Sequence, residues 1–307
     1  MSESGDEWPA GAPEDELPET EGVNPRTLGL DALDTPALVA LLGDEHVRAA
    51  RAVADRSHEI AVAVDAIVAR LRAGGTLHYF GAGTSGRLAM LDAAECPPTF
   101  GTPPSLVRAH VAGGAEALTA AIEGAEDDFE RGALEARDAV APGDAVVGIS
   151  ASGGARYVLG AVRAARARGT LTIGVVSSAQ SPLVRASDLG IVVASGAEPI
   201  AGSTRLKAGT AQKLVLNALS TATMVRLGKV YDNRMIDVLA TNDKLRLRAR
   251  RLVEELGPVG PERALALLEA ADGSAKVAVA MSRCHVGAAE ARALLARHDG
   301  SLRALIG

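Results

Sequence analysis

The stretch Thr76–Leu88 reads TLHYFGAGTSGRL, and it decides the fold class of this chain. Its first residues form a short run of bulky side chains, as expected for a buried strand, and Gly81, Gly83 and Gly86 follow. Glycines let the backbone approach an anion closely, and a helix that begins directly after them offers free N–H groups and a partial positive charge. The stretch therefore predicts a strand, an anion-binding loop and a helix in succession.

Further β-branched runs follow the first strand, separated for the most part by helical segments. They lie at residues 105–111, 144–149, 170–176 and 189–193. Strands that alternate with helices predict βαβ units, in which helices cover both faces of a parallel sheet. We therefore predict an α/β fold, whose ligands bind beyond the carboxyl ends of the strands, where the Gly-rich turns fall.

Apolar residues at three- and four-residue spacing predict the longer helices outside this alternation. They are expected over residues 44–72, 116–125, 206–227 and 233–255. From Pro261 onward, glycines at 273, 287 and 300 split a run of three or four short helices, which predicts a small all-helical appendage. Residues 1–20 hold seven acids, three prolines and no Lys or Arg, so we expect a disordered acidic tail.

Composition excludes several classes of function. The chain has 307 residues, with 32 Lys and Arg against 38 Asp and Glu, and 2% aromatic residues. A general nucleic-acid binder normally has a basic surplus and stacking aromatics, so we expect no nucleic-acid partner. Two distant cysteines and six scattered histidines predict neither a disulfide framework nor a metal site. With no signal-peptide pattern and no membrane-spanning apolar run, we expect a cytoplasmic protein without membrane association.

The glycine loop also fits the Gly-x-Gly-x-x-Gly spacing of dinucleotide sites. However, the second predicted strand closes in His110-Val111 and not in the acid that such sites use for the ribose. A phosphate or phosphosugar site is therefore the favoured interpretation, with a dinucleotide site and a purely structural turn as alternatives. Its candidate residues are Gly83, Thr84, Ser85 and Gly86.

Two more segments could contribute to the same anion site. One follows the strand at 144–149 and offers Ser150, Ser152 and Gly153, although a serine there can also simply cap a helix. The other, GSTRLKAGTAQK at 202–213, brings positive charge to the start of a helix, where the helix dipole disfavours it unless an anion binds. A solvated helix start is the alternative there. The candidates in this segment are Ser203, Arg205 and Lys207.

Taken in order, the motifs GAGTSGRL, DAAECPPTFG, EGAEDD, GSTRLKAGTAQKLVLN and TNDKLRLRA, with TEGVNP at 20–25, resemble the N-acetylmuramic acid 6-phosphate etherases of the sugar isomerase (SIS) domain superfamily. The resemblance runs from about residue 20 to the C-terminus. It implies a five-stranded parallel SIS sheet with helices on both faces, a C-terminal helical subdomain, a homodimer and no cofactor. The expected divisions are an N-terminal helical segment at 21–57, a SIS domain at 58–225, a helical connection at 226–260 and the C-terminal subdomain at 261–307.

The resemblance also implies an activity and two catalytic residues. That family cleaves the D-lactyl ether at C3 of N-acetylmuramate 6-phosphate, which gives N-acetylglucosamine 6-phosphate and D-lactate. Glu95 matches the family's proton donor and Glu126 its second catalytic position, whereas spacing alone does not select Glu126 over Glu123. A non-catalytic regulator that resembles the glucokinase regulatory protein, and a phosphosugar isomerase of the same superfamily, remain as alternatives.

One departure from the family pattern lies beside the serine motif. Where the family usually has Ser-Gly-Arg-Thr-Pro-Tyr, residues 152–157 read SGGARY. The chain therefore lacks the threonine hydroxyl, and its arginine, Arg156, comes two positions later. If that hydroxyl binds phosphate, we expect weaker phosphate binding unless Arg156 compensates from the first turn of the following helix.

Overall fold

A computed structural model describes residues 18–237 and 243–307. Most of the predicted acidic tail, residues 1–17, lies outside the described residues. The α-helices of the described part are α1 (Thr35–Ala54), α2 (Ser57–Arg72), α3 (Gly83–Phe100), α4 (Phe129–Ala139), α5 (Arg156–Arg166), α6 (Pro182–Ala186), α7 (Lys207–Arg226), α8 (Asp243–Leu256), α9 (Pro261–Ala270), α10 (Ala275–Cys284), α11 (Ala288–Arg297) and α12 (Leu302–Ile306). The strands are β1 (Leu77–Gly81), β2 (Val107–Val111), β3 (Ala145–Ile149), β4 (Leu171–Val176), β5 (Leu189–Val192), β6 (Val230–Tyr231) and β7 (Arg234–Met235).

The first five strands form one parallel sheet in the order β2-β1-β3-β4-β5. Gly81, the last residue of β1, pairs with Val111 of β2 on one side and Ile149 of β3 on the other. All three strands therefore end at the same edge, and the loops that follow them lie side by side. The predicted α/β fold with a five-stranded parallel sheet is confirmed.

Helices cover both faces of the sheet because successive strand residues point to opposite sides. On β1, Tyr79 belongs to the core under α2, α3 and α7, and Phe80 to the core under α4, α5 and α6. Helices α8–α12 share a separate core that includes Val253 and Ala278. The predicted C-terminal helical subdomain is confirmed, and so are its breaks at Gly273, Gly287 and Gly300.

Three of the predicted helices were wrong in extent. The stretch 44–72 belongs to two helices, because a turn at Asp55 and Arg56 separates α1 from α2, which periodicity alone does not reveal. In place of a helix over 116–125 there is a 3₁₀ turn at Gly114–Leu118, at whose start Gly113 and Gly114 both adopt positive φ. The stretch predicted from residue 233 begins instead in the β6–β7 hairpin, whose two-residue turn is Asp232-Asn233, and α8 starts at Asp243.

Two of the histidines that look scattered in the sequence meet on neighbouring strands. His78 Nδ1 lies 3.1 Å from His110 Nε2, and His78 Nε2 lies 3.3 Å from Asp144 Oδ2. Burial lowers the pKa of each imidazole to about 4, so both rings are neutral at physiological pH. Across the described residues, no three His, Cys, Asp or Glu side chains are grouped so that they could hold a metal ion. None of the described helices is both long and apolar enough to cross a bilayer.

Candidate active site

The turn between β1 and α3 is so tight that only glycine fits at both of its ends. A Cβ atom at Gly81 would lie 2.6 Å from the backbone N of Gly86, and one at Gly86 would lie 2.7 Å from Gly81 O. Gly83 opens α3 with φ of 51°, in the left-handed region. The N–H groups of Gly83, Thr84 and Ser85 at the start of α3 have no intrahelical partner, as an anion site needs, whereas Gly86 N donates to Ala82 O at 3.2 Å. The strand–loop–helix unit is confirmed, while anion binding there stays a prediction.

The start of α7 packs directly against this loop. A Cβ atom at Gly209 would lie 3.4 Å from Thr84 Cγ2. Ser85, which is nearly buried, donates its hydroxyl proton to Gln212 Oε1 at 2.9 Å. The Gln212 amide nitrogen is buried and has no hydrogen-bond partner among the described residues. Sequence reasoning missed Gln212, since nothing local shows that it meets a serine 127 positions away.

The serine motif after β3 occupies the neighbouring position on the same edge. Ser150 Oγ accepts a hydrogen bond from Gly153 N at 3.0 Å, and Ser152 Oγ accepts one from Gly154 N at 3.2 Å. Each hydroxyl oxygen is thus held from the backbone, and each hydroxyl keeps its own proton to donate. Gly153 has φ of 73°, and a Cβ atom there would lie 2.0 Å from Ser181 Oγ. The tertiary structure therefore brings both predicted anion motifs to one edge.

Lys207, which the sequence offers as an anion-binding candidate or as part of a solvated helix start, is fully buried. Its Nζ lies 2.9 Å from Glu45 Oε2 and donates to Ala197 O at 3.1 Å. Binding of substrate by Lys207 would require this ion pair to open. Ser203 and Arg205 precede α7, and Arg205 is exposed without an ion pair in the part of the chain that the structure describes.

Glu45 is the acceptor at the centre of a buried polar network. Its carboxylate accepts hydrogen bonds from Arg26 Nε at 2.7 Å and from Asn24 Nδ2 at 2.9 Å, in addition to its contact with Lys207 Nζ. The hydrogen bond from Arg26, with those from Lys207 and Asn24, lowers the pKa of Glu45 to about 2 against the effect of burial. Asn24 also donates to Ala197 O at 3.1 Å. The TEGVNP segment thus reaches the loop that leads into α7.

Glu198 is a second buried carboxylate that sequence reasoning missed. It is fully buried, and it accepts hydrogen bonds from Lys207 N at 2.7 Å and Ala208 N at 2.9 Å. It therefore satisfies two of the free N–H groups at the start of α7. Burial raises the pKa of this carboxyl group despite both bonds. The capping distance of nine or ten residues is too long to be recognised as a capping pattern in sequence.

The two predicted catalytic glutamates lie on different elements, and both are exposed. Glu95 is on α3, which continues through Pro97 and Pro98 to Phe100 instead of ending before the prolines. Glu126 lies in a short 3₁₀ turn, Ala125–Asp127, that follows the loop after β2. Their joint action stays a prediction, and Glu123 is exposed as well.

Asp92 lies one turn before Glu95 and points into the core. It accepts hydrogen bonds from Tyr79 Oη and Ser220 Oγ, both at 3.0 Å. Burial raises the pKa of this carboxyl group to about 6. Asp92 therefore joins α3 to β1 and α7 beneath the exposed position of Glu95.

Comparison with known proteins shows to which family the chain belongs. Residues 59–166 match the model of the glucokinase regulatory protein N-terminal SIS domain, and residues 130–222 match the SIS domain model. An N-acetylmuramic acid 6-phosphate etherase from Rubrobacter xylanophilus is 52% identical over 289 residues, covering 94% of this chain and 95% of that protein. The chain belongs to the N-acetylmuramic acid 6-phosphate etherase family. The etherase of Mycolicibacterium smegmatis is 49% identical over 291 residues, covering 94% of this chain and 97% of that protein.

The resemblance stated from the motifs, and the SIS fold that it implied, are therefore confirmed for this etherase-family chain. Among solved structures, a phosphoheptose isomerase from Neisseria gonorrhoeae superimposes with a TM-score of 0.48 at 20% identity. That superposition covers 62% of this chain and 99% of the isomerase.

Replacing Glu45 by Gln leaves the buried Lys207 ammonium without its counter-charge. We expect a loss of about 3 kcal/mol in the free energy of unfolding at neutral pH, because breaking one side of a buried ion pair strands the other charge. Denaturant titration measures this, and the matched control is Glu59→Gln, which removes a surface pair with Arg56 and should leave stability unchanged.

The Glu45 contribution also has a defined pH dependence. Since the pKa of Glu45 is lowered from its ordinary 4.5 to about 2, its stabilisation is present above pH 4.5 and declines as the pH falls through that interval. The difference between the wild type and Glu45→Gln should therefore shrink with acidification. The Glu45–Lys207 pair does not stabilise the fold if the difference in unfolding free energy between the wild type and Glu45→Gln stays constant with pH. The same conclusion follows if Glu45→Gln and Glu59→Gln have equal effects at neutral pH.

Proposed function

We propose that this chain cleaves the D-lactyl ether of N-acetylmuramate 6-phosphate, giving N-acetylglucosamine 6-phosphate and D-lactate. The observation that carries this proposal is the 52% identity to an etherase of that name over 94% of the chain. The sheet edge supports it, because it carries two loops suited to an anion and is flanked by elements that hold two exposed glutamates.

The reaction proceeds by elimination followed by addition of water. In the open-chain sugar, C1 is an aldehyde, so the C2 proton is acidic and the C3 ether oxygen is a leaving group in the β position. Glu126 removes the C2 proton, and Glu95 protonates the departing lactate oxygen. Water then adds to C3 of the unsaturated aldehyde. Each such acid or base contributes on the order of 10²–10⁴ in rate when it is correctly placed.

The substrate phosphate is held at the sheet edge by backbone N–H groups and serine hydroxyls. The first turn of α3 supplies the N–H groups of Gly83, Thr84 and Ser85, and Gly86 keeps the turn tight. The loop after β3 supplies the hydroxyls of Ser150 and Ser152, and Gly153 N holds the Ser150 oxygen in place. Ser203 and the exposed Arg205 serve the lactyl carboxylate or the phosphate from the start of α7. Arg156, the first residue of α5, replaces the hydroxyl that the family pattern has nearby.

We also propose that the chain acts as a homodimer in the cytoplasm. An open apolar groove of about 830 Å³ runs between α1, α2 and α7 and includes Val53, Ile60 and Val225. Val53 and Ile60 form the buried floor of this groove, whereas Val225, Ala54 and Ala61 are exposed in it. A second copy would cover the exposed side chains and remove their apolar surface from water. Both cysteines are free, as is usual in a reducing compartment.

Isotope labelling tests the reaction. When the protein acts on N-acetylmuramate 6-phosphate in ¹⁸O-water, the label should enter the C3 hydroxyl of the sugar, and lactate should stay unlabelled, because the ether breaks on the sugar side. Mass spectrometry of both products measures where the label lies. A control sample of N-acetylglucosamine 6-phosphate in the same water shows how much label enters by exchange at C1 alone. Labelled lactate would contradict the elimination. Tight binding of the substrate without lactate release would contradict the proposed reaction.

Replacing Glu95 by Gln removes the proposed proton donor without changing the size of the side chain. We expect lactate release to fall by about 10²–10⁴-fold, while the Kd of N-acetylglucosamine 6-phosphate stays unchanged. Coupled lactate detection and calorimetry provide the two readouts. The control is Glu130→Gln, which changes an exposed glutamate on α4 and should keep full activity. An active Glu95→Gln variant would refute the assigned role.

Replacing Val225 by Arg places a charge in the apolar groove. We expect the particle measured by light scattering to change from twice the chain mass to the chain mass, because the charge would be buried without a partner. Leu134→Arg is the control, at an exposed leucine of α4 on the other face of the sheet. A monomeric wild type, or a dimeric Val225→Arg variant, would show that this groove is not the interface.

A further inference from the structure

The segment that carries Glu126 has little regular structure of its own. Between the end of β2 at Val111 and the start of α4 at Phe129, the chain forms only two 3₁₀ turns. Gly113, Gly114 and Gly124 adopt left-handed φ in this segment, and most of its side chains are exposed. A catalytic carboxylate in such a segment needs an external contact to fix its position relative to the helix that carries Glu95.

Arg87 supplies one such contact, in addition to the packing of Ala117 and Ala125. Its Nε donates to Ala117 O at 3.0 Å and its Nη2 donates to Ala120 O at 2.8 Å. Arg87 belongs to α3, about two turns before Glu95. Helix α3 therefore carries the proposed proton donor and also forms two hydrogen bonds with the segment that leads to Glu126.

The chemistry of this contact requires arginine. A planar guanidinium presents several donors at fixed angles, so it can bond two carbonyl oxygens three residues apart, whereas a lysine ammonium acts as a single flexible point of charge. Within residues 18–237 and 243–307, no carboxylate forms an ion pair with Arg87. Its hydrogen-bonding capacity in this structure is thus directed to the backbone of the segment.

We propose that Arg87 is a positioning residue, which holds the Glu126 segment against α3 so that Glu126 and Glu95 keep the separation that elimination requires. The inference rests on the proposed function, because it presupposes that both glutamates react with one substrate. A displacement of about 1 Å in a reacting group can cost up to 10²-fold in rate, so loss of the double contact should affect turnover more than binding.

The test is Arg87→Lys, which keeps the charge but cannot keep both hydrogen bonds. We expect kcat for lactate release to fall at least about tenfold, with the KM and the Kd of N-acetylglucosamine 6-phosphate changing by less than about threefold. Circular dichroism monitors the folded fraction, to which kcat is normalised. The matched control is Arg168→Lys: Arg168 donates to Arg137 O near the start of β4, at the opposite edge of the sheet, and this variant should keep wild-type kcat.

A second variant separates positioning from a general loss of structure. In Arg87→Ala, added guanidinium ions should restore part of kcat in a saturable way, and they should not activate Arg168→Ala. An unchanged kcat in Arg87→Lys would overturn the inference. So would a raised KM or Kd with kcat unchanged, because Arg87 would then contact the substrate directly, and so would a loss of kcat that only follows the unfolded fraction.

Failure of this inference is distinguishable from failure of the proposed function. If the function is wrong, the unmodified protein releases no lactate. If only the role of Arg87 is wrong, the unmodified protein is active and Arg87→Lys is equally active. If Glu126 is not catalytic, Glu126→Gln keeps full activity, and the positioning role of Arg87 is refuted together with it.

Discussion

The arrangement of the site depends on one buried ion pair, between Lys207 and Glu45. A fully buried ammonium is tolerated only with a counter-charge and further hydrogen bonds, and Glu45 and Ala197 O provide them. This pair fixes the first turn of α7 against α1, and the same turn of α7 lies against Thr84 of the glycine loop. The position of the proposed phosphate loop relative to α7 therefore depends on a charge pair that is buried in the fold.

Burial separates the carboxylates into two groups with different tasks. Glu45, Asp92 and Glu198 are buried, and each accepts at least two hydrogen bonds from the protein, so their oxygens are occupied. Glu95 and Glu126 are exposed at the surface of α3 and of the loop after β2, where a substrate can reach them. The acids proposed for catalysis are thus exposed ones, and not the buried ones whose oxygens accept hydrogen bonds within the fold.

Local patterns predicted the sheet well and the helical connections less well. The glycine loop and the β-branched runs are recognisable because strand length and tight-turn chemistry are encoded within a few residues. The stretch 44–72 was predicted as one helix because two consecutive amphipathic helices share the same periodicity. The stretch 116–125 was predicted as a helix after a turn at Gly113 and Gly114, but only a 3₁₀ turn over Gly114–Leu118 forms there. In the site, the positions of the glycine loop and the serine loop after β1 and β3 were predicted, whereas the burial of Lys207 was not.

The sequence by itself determined the α/β class, the order of the strand and helix units, the glycine and serine loops that follow β1 and β3, and the family. Only the tertiary structure decided that Lys207 is an internal cation, that Glu198 caps α7, and that Gln212 holds Ser85. The physical reason is distance along the chain. A loop or a cap is built by neighbouring residues, whereas charge burial and side-chain pairing arise between residues that packing alone brings together.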